Sequence, residues 1–163
     1  MRIRPAQPAD AQLLAHHRAA VWHEVGEWSL EDLAPQIPVW TEFFRAGVAA
    51  GTYVAYVAER AGRVAGSGAV LVHVSIPRPG LLSDRAGRVQ SVYVEPAERR
   101  TGVARAIMER ILIFARESNL ISLSLHPSDS ARRLYATLGF EVADEMTLRL
   151  TSQPPLAPPE RHD

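Results

Sequence analysis

Two neighbouring arginines, Arg99 and Arg100, stand directly before Thr101-Gly102-Val103-Ala104-Arg105, and the run follows a β-branched and aromatic stretch, Val92-Tyr93-Val94-Glu95-Pro96. Cations at the start of a helix oppose the positive end of its dipole, so the pair makes local sense when an anion joins them. Gly102 lets backbone N–H groups come close to a ligand, and the first N–H groups of a helix have no internal partners. Pro96 cannot donate to a ladder, so strand pairing is predicted to stop there. Strand, turn and helix together predict a cradle for phosphate. A Walker site needs a lysine, and the sequence contains none; a dinucleotide-binding glycine triplet is also missing.

The elements that must hold this turn are legible around it. Val103, Ile107, Ile111 and Phe114 fall on one helical stripe, Arg105 and Glu109 are spaced for pairing on another face, and Asn119 is suited to end the helix. Further on, Ser128-Asp129-Ser130-Ala131-Arg132-Arg133-Leu134-Tyr135-Ala136-Thr137-Leu138-Gly139-Phe140 predicts a short helix. Ser128 or Asp129 can cap it, Ala131, Leu134, Tyr135 and Leu138 give it an inward face, and Gly139 can close it in the left-handed conformation.

Arg99-Arg100-Thr101-Gly102-Val103-Ala104 resembles the Q/R-x-x-G-x-G/A loop of the Gcn5-related N-acetyltransferases (GNAT), placed after the fourth strand as that family places it. Leu134-Tyr135-Ala136-Thr137-Leu138-Gly139-Phe140 resembles the family's L-Y-x-x-x-G-F helix, in the right order and over roughly residues 50 to 150. Ser128 stands where the family often has asparagine. The resemblance implies an α/β, GNAT-like acyl-CoA N-acyltransferase fold: a mixed, mostly antiparallel sheet flanked by helices. It also implies acetyl-CoA as co-substrate, with no metal. The pyrophosphate would rest on the amides of residues 100 to 105, helped by Arg99 and Arg100, with Ser128 and Arg132 as further contacts. Val92, Tyr93 and Val94 would offer amides to the pantetheine arm and the thioester carbonyl, provided that their strand separates from the next one.

The implied reaction transfers an acetyl group to a primary amine by direct attack in a ternary complex. With no cysteine and no lysine in the chain, an acyl-cysteine intermediate and Schiff-base chemistry are both excluded. Loss of the thiolate calls for an acid of comparable proton affinity, and a phenol, with an ordinary pKa of about 10, qualifies. The family's tyrosine at the position of Tyr135 points at the coenzyme sulfur, which makes Tyr135 the candidate acid. The acceptor amine must lose a proton, directly or through water; Glu95, Glu24 and His73 remain open as its receiver, with Gln90 as a group that could position the water. The histidines show no metal-ligand spacing with carboxylates, and His16-His17-Arg18 reads as a helix surface with one inward ring. A different class of function is a non-catalytic acyl-CoA sensor with the same pocket; Tyr135 favours the enzyme, because a sensor needs no leaving-group acid.

Toward the N-terminus, Ile3 predicts an edge strand. Leu13, Leu14, His17, Val21 and Trp22 predict a helix from Asp10 to Gly26, and Ser29 opens a second helix that Pro35 and Pro38 interrupt before the pattern resumes up to Gly47. The resemblance makes this region part of the acceptor pocket, with Trp22, Glu24, Trp28, Trp40 and Phe43 as candidates; core packing is the other reading. Tyr53 to Ala58 and Arg63 to Val74 predict a hairpin around Arg60-Ala61-Gly62. Gly66 and Gly68 share a face of its second strand, which calls for a close neighbour, either a ligand or a helix. Ser75 to Gly87 predicts a loop, Arg88 to Val94 the central strand, Ile121 to Leu125 a half-buried strand and Glu141 to Leu150 a last strand.

Length and the large apolar fraction suit one domain, residues 1–150, with a proline-rich and flexible tail at 151–163. Zero formal net charge argues against a nucleic-acid partner. No apolar run is long enough to span a bilayer, and the N-terminus lacks a signal-like core, which predicts a cytoplasmic protein without a membrane partner. The acceptor would be a small-molecule or peptide amine, and the resemblance leaves a homodimer open.

Overall fold

A computed structural model describes residues 1–26, 28–77, 79–80 and 83–148. The predicted tail at 151–163, and the last two residues of the predicted final strand, lie outside that range. In chain order the elements are β1 (Arg2–Pro5), α1 (Ala11–Val25), α2 (Leu30–Leu33), α3 (Gln36–Ala50), β2 (Tyr53–Arg60), β3 (Arg63–Val74), β4 (Arg85–Val94), α4 (Val103–Glu117), β5 (Leu123–Ser124) and α5 (Arg132–Thr137). The strands form one sheet in the order β1-β2-β3-β4-β5. The first three pairings are antiparallel and the last is parallel. No helix among the described residues is long and apolar enough to cross a membrane.

Each face of the sheet buries its own cluster, because strand side chains alternate. On one face, α4 lays Val103, Ile107, Met108 and Ile111 against Tyr56, Val70 and Val89, and Tyr135 of α5 joins this cluster. On the other, Leu14 and Ala15 of α1 and Phe44 of α3 meet Tyr53, Ala55 and Ala69, with the Phe44 and Tyr53 rings stacked at 4.6 Å. The hairpin between β2 and β3 turns through Ala61 (φ 49°) and Gly62 (φ 74°), the two positive φ values of a tight turn whose twist matches the strands.

Pro38 does not interrupt its helix. It lies in the first turn of α3, where an N–H would have no partner, and the helix runs past Gly47 to close on Gly51 at φ 71°. β4 starts at Arg85, three residues earlier than the pattern suggests. The close neighbour of Gly68 is α4, since a Cβ there would come within 2.7 Å of the Ile107 side chain; a Cβ on Gly66 would meet the Tyr93 carbonyl oxygen of β4 at 2.4 Å and Val103 of α4 at 3.2 Å.

The predicted last strand is a correction. Residues 141–148 form no strand, and Val142 (89 %), Met146 (100 %) and Leu148 (82 %) are exposed. Asp144 falls on the same alternating face as those three and breaks its apolar character, and β5 offers only two paired residues as a template. An open groove of about 470 Å³ remains beside β5, lined by Leu112, Leu120, Leu123, Leu138 and Phe140 among others.

Candidate active site

β4 carries a bulge at its centre. Ser67 faces Tyr93 and Ala69 faces Gln90, so Gly68 alone spans Ser91 and Val92. Ser91 takes the extra turn at φ 52°, a left-handed conformation that costs a non-glycine residue about 1 kcal/mol or more. The bulge shifts the side-chain phase. Val89, Val92 and Val94 all pack toward α4, while Tyr93 and the Gln90-Ser91 pair turn toward α1.

Before it reaches the bulge, β4 loses its second neighbour. It pairs with β5 only at Gly87↔Leu123 and Arg88↔Ser124, so the strands diverge and 89–94 have no partner on that side among the described residues. The Glu95 amide donates to the Ala65 carbonyl at 3.0 Å. Alternation therefore sends the Val94 N–H, one residue earlier, into the gap.

The turn that follows holds Arg100 at φ 60° and Gly102 at φ 87°. The first α4 hydrogen bond runs from Ala106 to the Gly102 carbonyl, and none of the amides of residues 100 to 105 donates to a carbonyl among the described residues. Six consecutive N–H groups at the positive end of a 15-residue helix can cradle an anion. Thr101 braces the turn through its hydroxyl, which donates to the Glu98 carbonyl at 2.6 Å.

The side chains around the cradle divide their tasks. The Arg99 guanidinium donates to the Val94 carbonyl at 3.1 Å, pairs with Glu24 near the end of α1, and lies 5.9 Å over the Tyr93 ring. Arg99 and Glu24 thus fasten α1 to the end of β4. Arg105 reaches Thr137 of α5 at 2.7 Å, and Arg132 pairs with Asp129 at 3.1 Å. Arg100 is exposed at the turn, and the Ser128 hydroxyl lies 3.2 Å from that of Ser130. Tyr135 is 9 % exposed, its ring edge-on to Phe140 at 5.8 Å, and burial raises its phenol above the ordinary value.

Glu95 has a partner that the sequence did not assign to it. His17 is the inward ring of the His16-His17 pair: it is 4 % exposed, its Nε2 lies 3.2 Å from Glu95 Oε1, and its Nδ1 lies 2.7 Å from the Ser67 hydroxyl, itself 1 % exposed. Burial holds the imidazole below its ordinary pKa, against the opposing pull of the Glu95 charge. A neutral ring beside an ionised carboxylate must place its proton on Nε2, so Ser67 donates to Nδ1 and His17 donates to Glu95. The signal was present in His17 sharing the apolar stripe of Leu14 and Val21, but its partners lie 50 and 78 residues away. Gln90, expected to position a water, faces Arg18 in the bulge, and His73, another candidate proton receiver, lies near the outer end of β3 opposite Ala86.

This ring has a pH consequence. Its folded pKa is depressed, so below about 6.5 the unfolded chain takes up a proton that the folded chain refuses. Stability should therefore fall as pH drops through that value and level off below the folded pKa. Denaturant titrations at several pH values check it: His17→Gln should lack this slope, and an unchanged slope would mean that other groups cause it.

Residues 51–142 match the acetyltransferase (GNAT) domain family. A mycothiol acetyltransferase of Thermobispora bispora is 34% identical over 143 residues, and one of Thermomonospora curvata is 33% identical over the same length. Each alignment covers 85% of this chain, but only 44% and 42% of those proteins, so the chain spans less than half the length of these curated relatives. Among solved structures, a GCN5-related N-acetyltransferase from Ralstonia eutropha JMP134 superposes with a TM-score of 0.82 at 27% identity, over 91% of this chain and 97% of that one. A predicted acetyltransferase from Clostridium acetobutylicum, solved with acetyl-CoA, superposes with a TM-score of 0.80 at 25% identity, over 92% and 95% of the two chains.

Proposed function

The chain belongs to the GNAT acetyltransferase family, and from that premise we propose that it transfers an acetyl group from acetyl-CoA to a primary amine by direct attack in a ternary complex. The observation that carries this reading is the cradle of unpartnered amides at residues 100 to 105, opening onto the divergence of β4 from β5. A diphosphate satisfies the cradle, and an extended thioester arm fits beside a strand edge whose amides lack a partner.

Within that arrangement each group has one task. Glu95 receives the proton that the acceptor ammonium must lose, and the Nε2–H of His17 holds its Oε1 so that the other oxygen is left for the amine or a bridging water. The nitrogen forms its bond to the thioester carbonyl carbon while the Val94 N–H stabilises negative charge growing on the carbonyl oxygen. When the carbon–sulfur bond breaks, Tyr135 donates its proton to the departing thiolate, and the second proton shed by the new amide nitrogen returns through water to the phenolate. Glu24, bound to Arg99, fixes the α1 side of the cleft and takes no proton.

The relatives named as mycothiol acetyltransferases favour a small-molecule acceptor over a protein one. Isothermal calorimetry should find saturable, micromolar binding of acetyl-CoA, and a thiol-release assay with a panel of small amines should find turnover. No binding would reject the reading. Binding without thiol release for any amine would favour an acyl-CoA sensor instead.

A further inference from the structure

The bulge of β4 holds a cation that the mechanism above does not use. Arg18, next to His17 on α1, is half-buried between two indoles, its guanidinium carbon 5.8 Å from the Trp22 ring centre and 5.4 Å from that of Trp40. Its Nη1 lies 3.1 Å from the Ser91 hydroxyl and 3.5 Å from Gln90 Oε1. Nε and Nη2 reach no acceptor, and no carboxylate comes within ion-pair distance among the described residues. Buried charges are ordinarily paired, and burial accordingly weakens this guanidinium's hold on its proton.

A second donor waits beside it. Tyr53 is 1 % exposed and its hydroxyl has no hydrogen-bond partner; Ser91 is adjacent but not in bonding geometry, and Arg18 is near enough for its charge to act on the phenol. Burial pushes the Tyr53 pKa up to about 12, so the hydroxyl keeps its proton and is a donor at neutral pH. A cation with only neutral acceptors at one nitrogen and an O–H without any, next to the bulge and one residue from the partner of Glu95, lack an anionic acceptor group.

We propose that Arg18, clamped by Trp22 and Trp40 and assisted by Ser91 and Tyr53, binds a carboxylate carried by the acceptor, so that the substrate class is small amino carboxylic acids. The indoles engage the guanidinium's charge and leave its in-plane N–H edge for ligand, and that edge matches a planar carboxylate in two-point contact. His17 and Arg18 are adjacent on α1, so a carboxylate held by Arg18 sits one helix position from the ring that holds Glu95. This inference rests on the acetyltransferase reading for its substrate, and on the cage alone for its anion.

The test has two arms. In thiol release, a panel of amino acids should exceed the matching amino-acid amides in kcat/KM by about tenfold to a hundredfold, and Arg18→Gln should erase that margin through KM while acetyl-CoA affinity is kept. In the second arm, the intrinsic tryptophan fluorescence of the wild-type protein is titrated with N-acetylglycine and with N-acetylglycinamide, which needs no turnover. A saturable response to the carboxylate alone, lost in Arg18→Gln, supports the cage. Equal use of acids and amides by an active enzyme overturns the inference and leaves the acetyltransferase reading standing. A carboxylate response in a protein that neither binds acetyl-CoA nor releases thiol supports the cage and removes that reading. Identical fluorescence responses to the two probes, or a response that survives Arg18→Gln, would refute the cage.

Discussion

Tyr135→Phe should lower kcat by about a hundredfold or more, the usual range for losing a positioned acid, while acetyl-CoA affinity stays nearly unchanged. The substitution removes one oxygen and keeps the ring, whose edge-on contact with Phe140 at 5.8 Å and place among Ile107, Met108 and Ile111 are matters of packing alone. Folding should be preserved, so a fall in turnover reports the hydroxyl. Burial holds this phenol above its ordinary pKa, so it is protonated throughout the neutral range and the basic limb of the wild-type rate profile should not appear below about pH 10. Steady-state thiol release across pH, with calorimetry on both proteins, checks the result. Equal turnover in the variant would free the leaving group from any dependence on Tyr135.

Gly66→Ala should unfold the protein at a temperature lower by about 5–10 °C, from an overpacking cost of about 2–3 kcal/mol. A Cβ at this position would lie 2.4 Å from the Tyr93 carbonyl oxygen and 3.2 Å from the Val94 Cα, both main-chain atoms that cannot rotate away. Relief requires β4 to move at the point where it turns from the bulge toward the cradle, so acetyl-CoA binding should weaken together with stability. At Gly62 a Cβ meets nothing within 4 Å, so Gly62→Ala carries only the cost of φ 74°, about 1–2 kcal/mol, and should leave binding intact. Scanning calorimetry of the two variants separates a steric origin from a general intolerance of alanine; equal losses would contradict the steric one.

The sheet and its helices were legible because each depends on near neighbours in the chain. The stripe of Val103, Ile107 and Ile111 and the turn at Gly62 state their structure locally. The unpartnered amides of residues 100 to 105 were foreshadowed too, since Gly102 and two arginines directly precede the helix start. What escaped depended on distant contacts. Ser67 and Glu95 meet across His17 only after α1 settles on the bulge, and Arg18 finds Trp40 only once α3 has folded back. The contact of Arg99 with Glu24, 75 residues earlier, is likewise beyond any local pattern.

The bulge itself left a trace in the sequence. Val89 and Val92 share a face although three positions separate them, which regular alternation forbids, and the polar Gln90-Ser91 between them marks where the phase slips. The final strand failed in the opposite sense: its alternation was readable, but Asp144 sits among the apolar positions and β5 is too short to template it.

The gap beside β4 is walled by peptide groups. An exchange of one aliphatic residue for another at 92 or 94 changes no N–H, so this edge can drift in composition over evolutionary time and still grip the same guest. Proline alone deletes the donor. A recognition surface written in main chain is therefore nearly silent in residue identity.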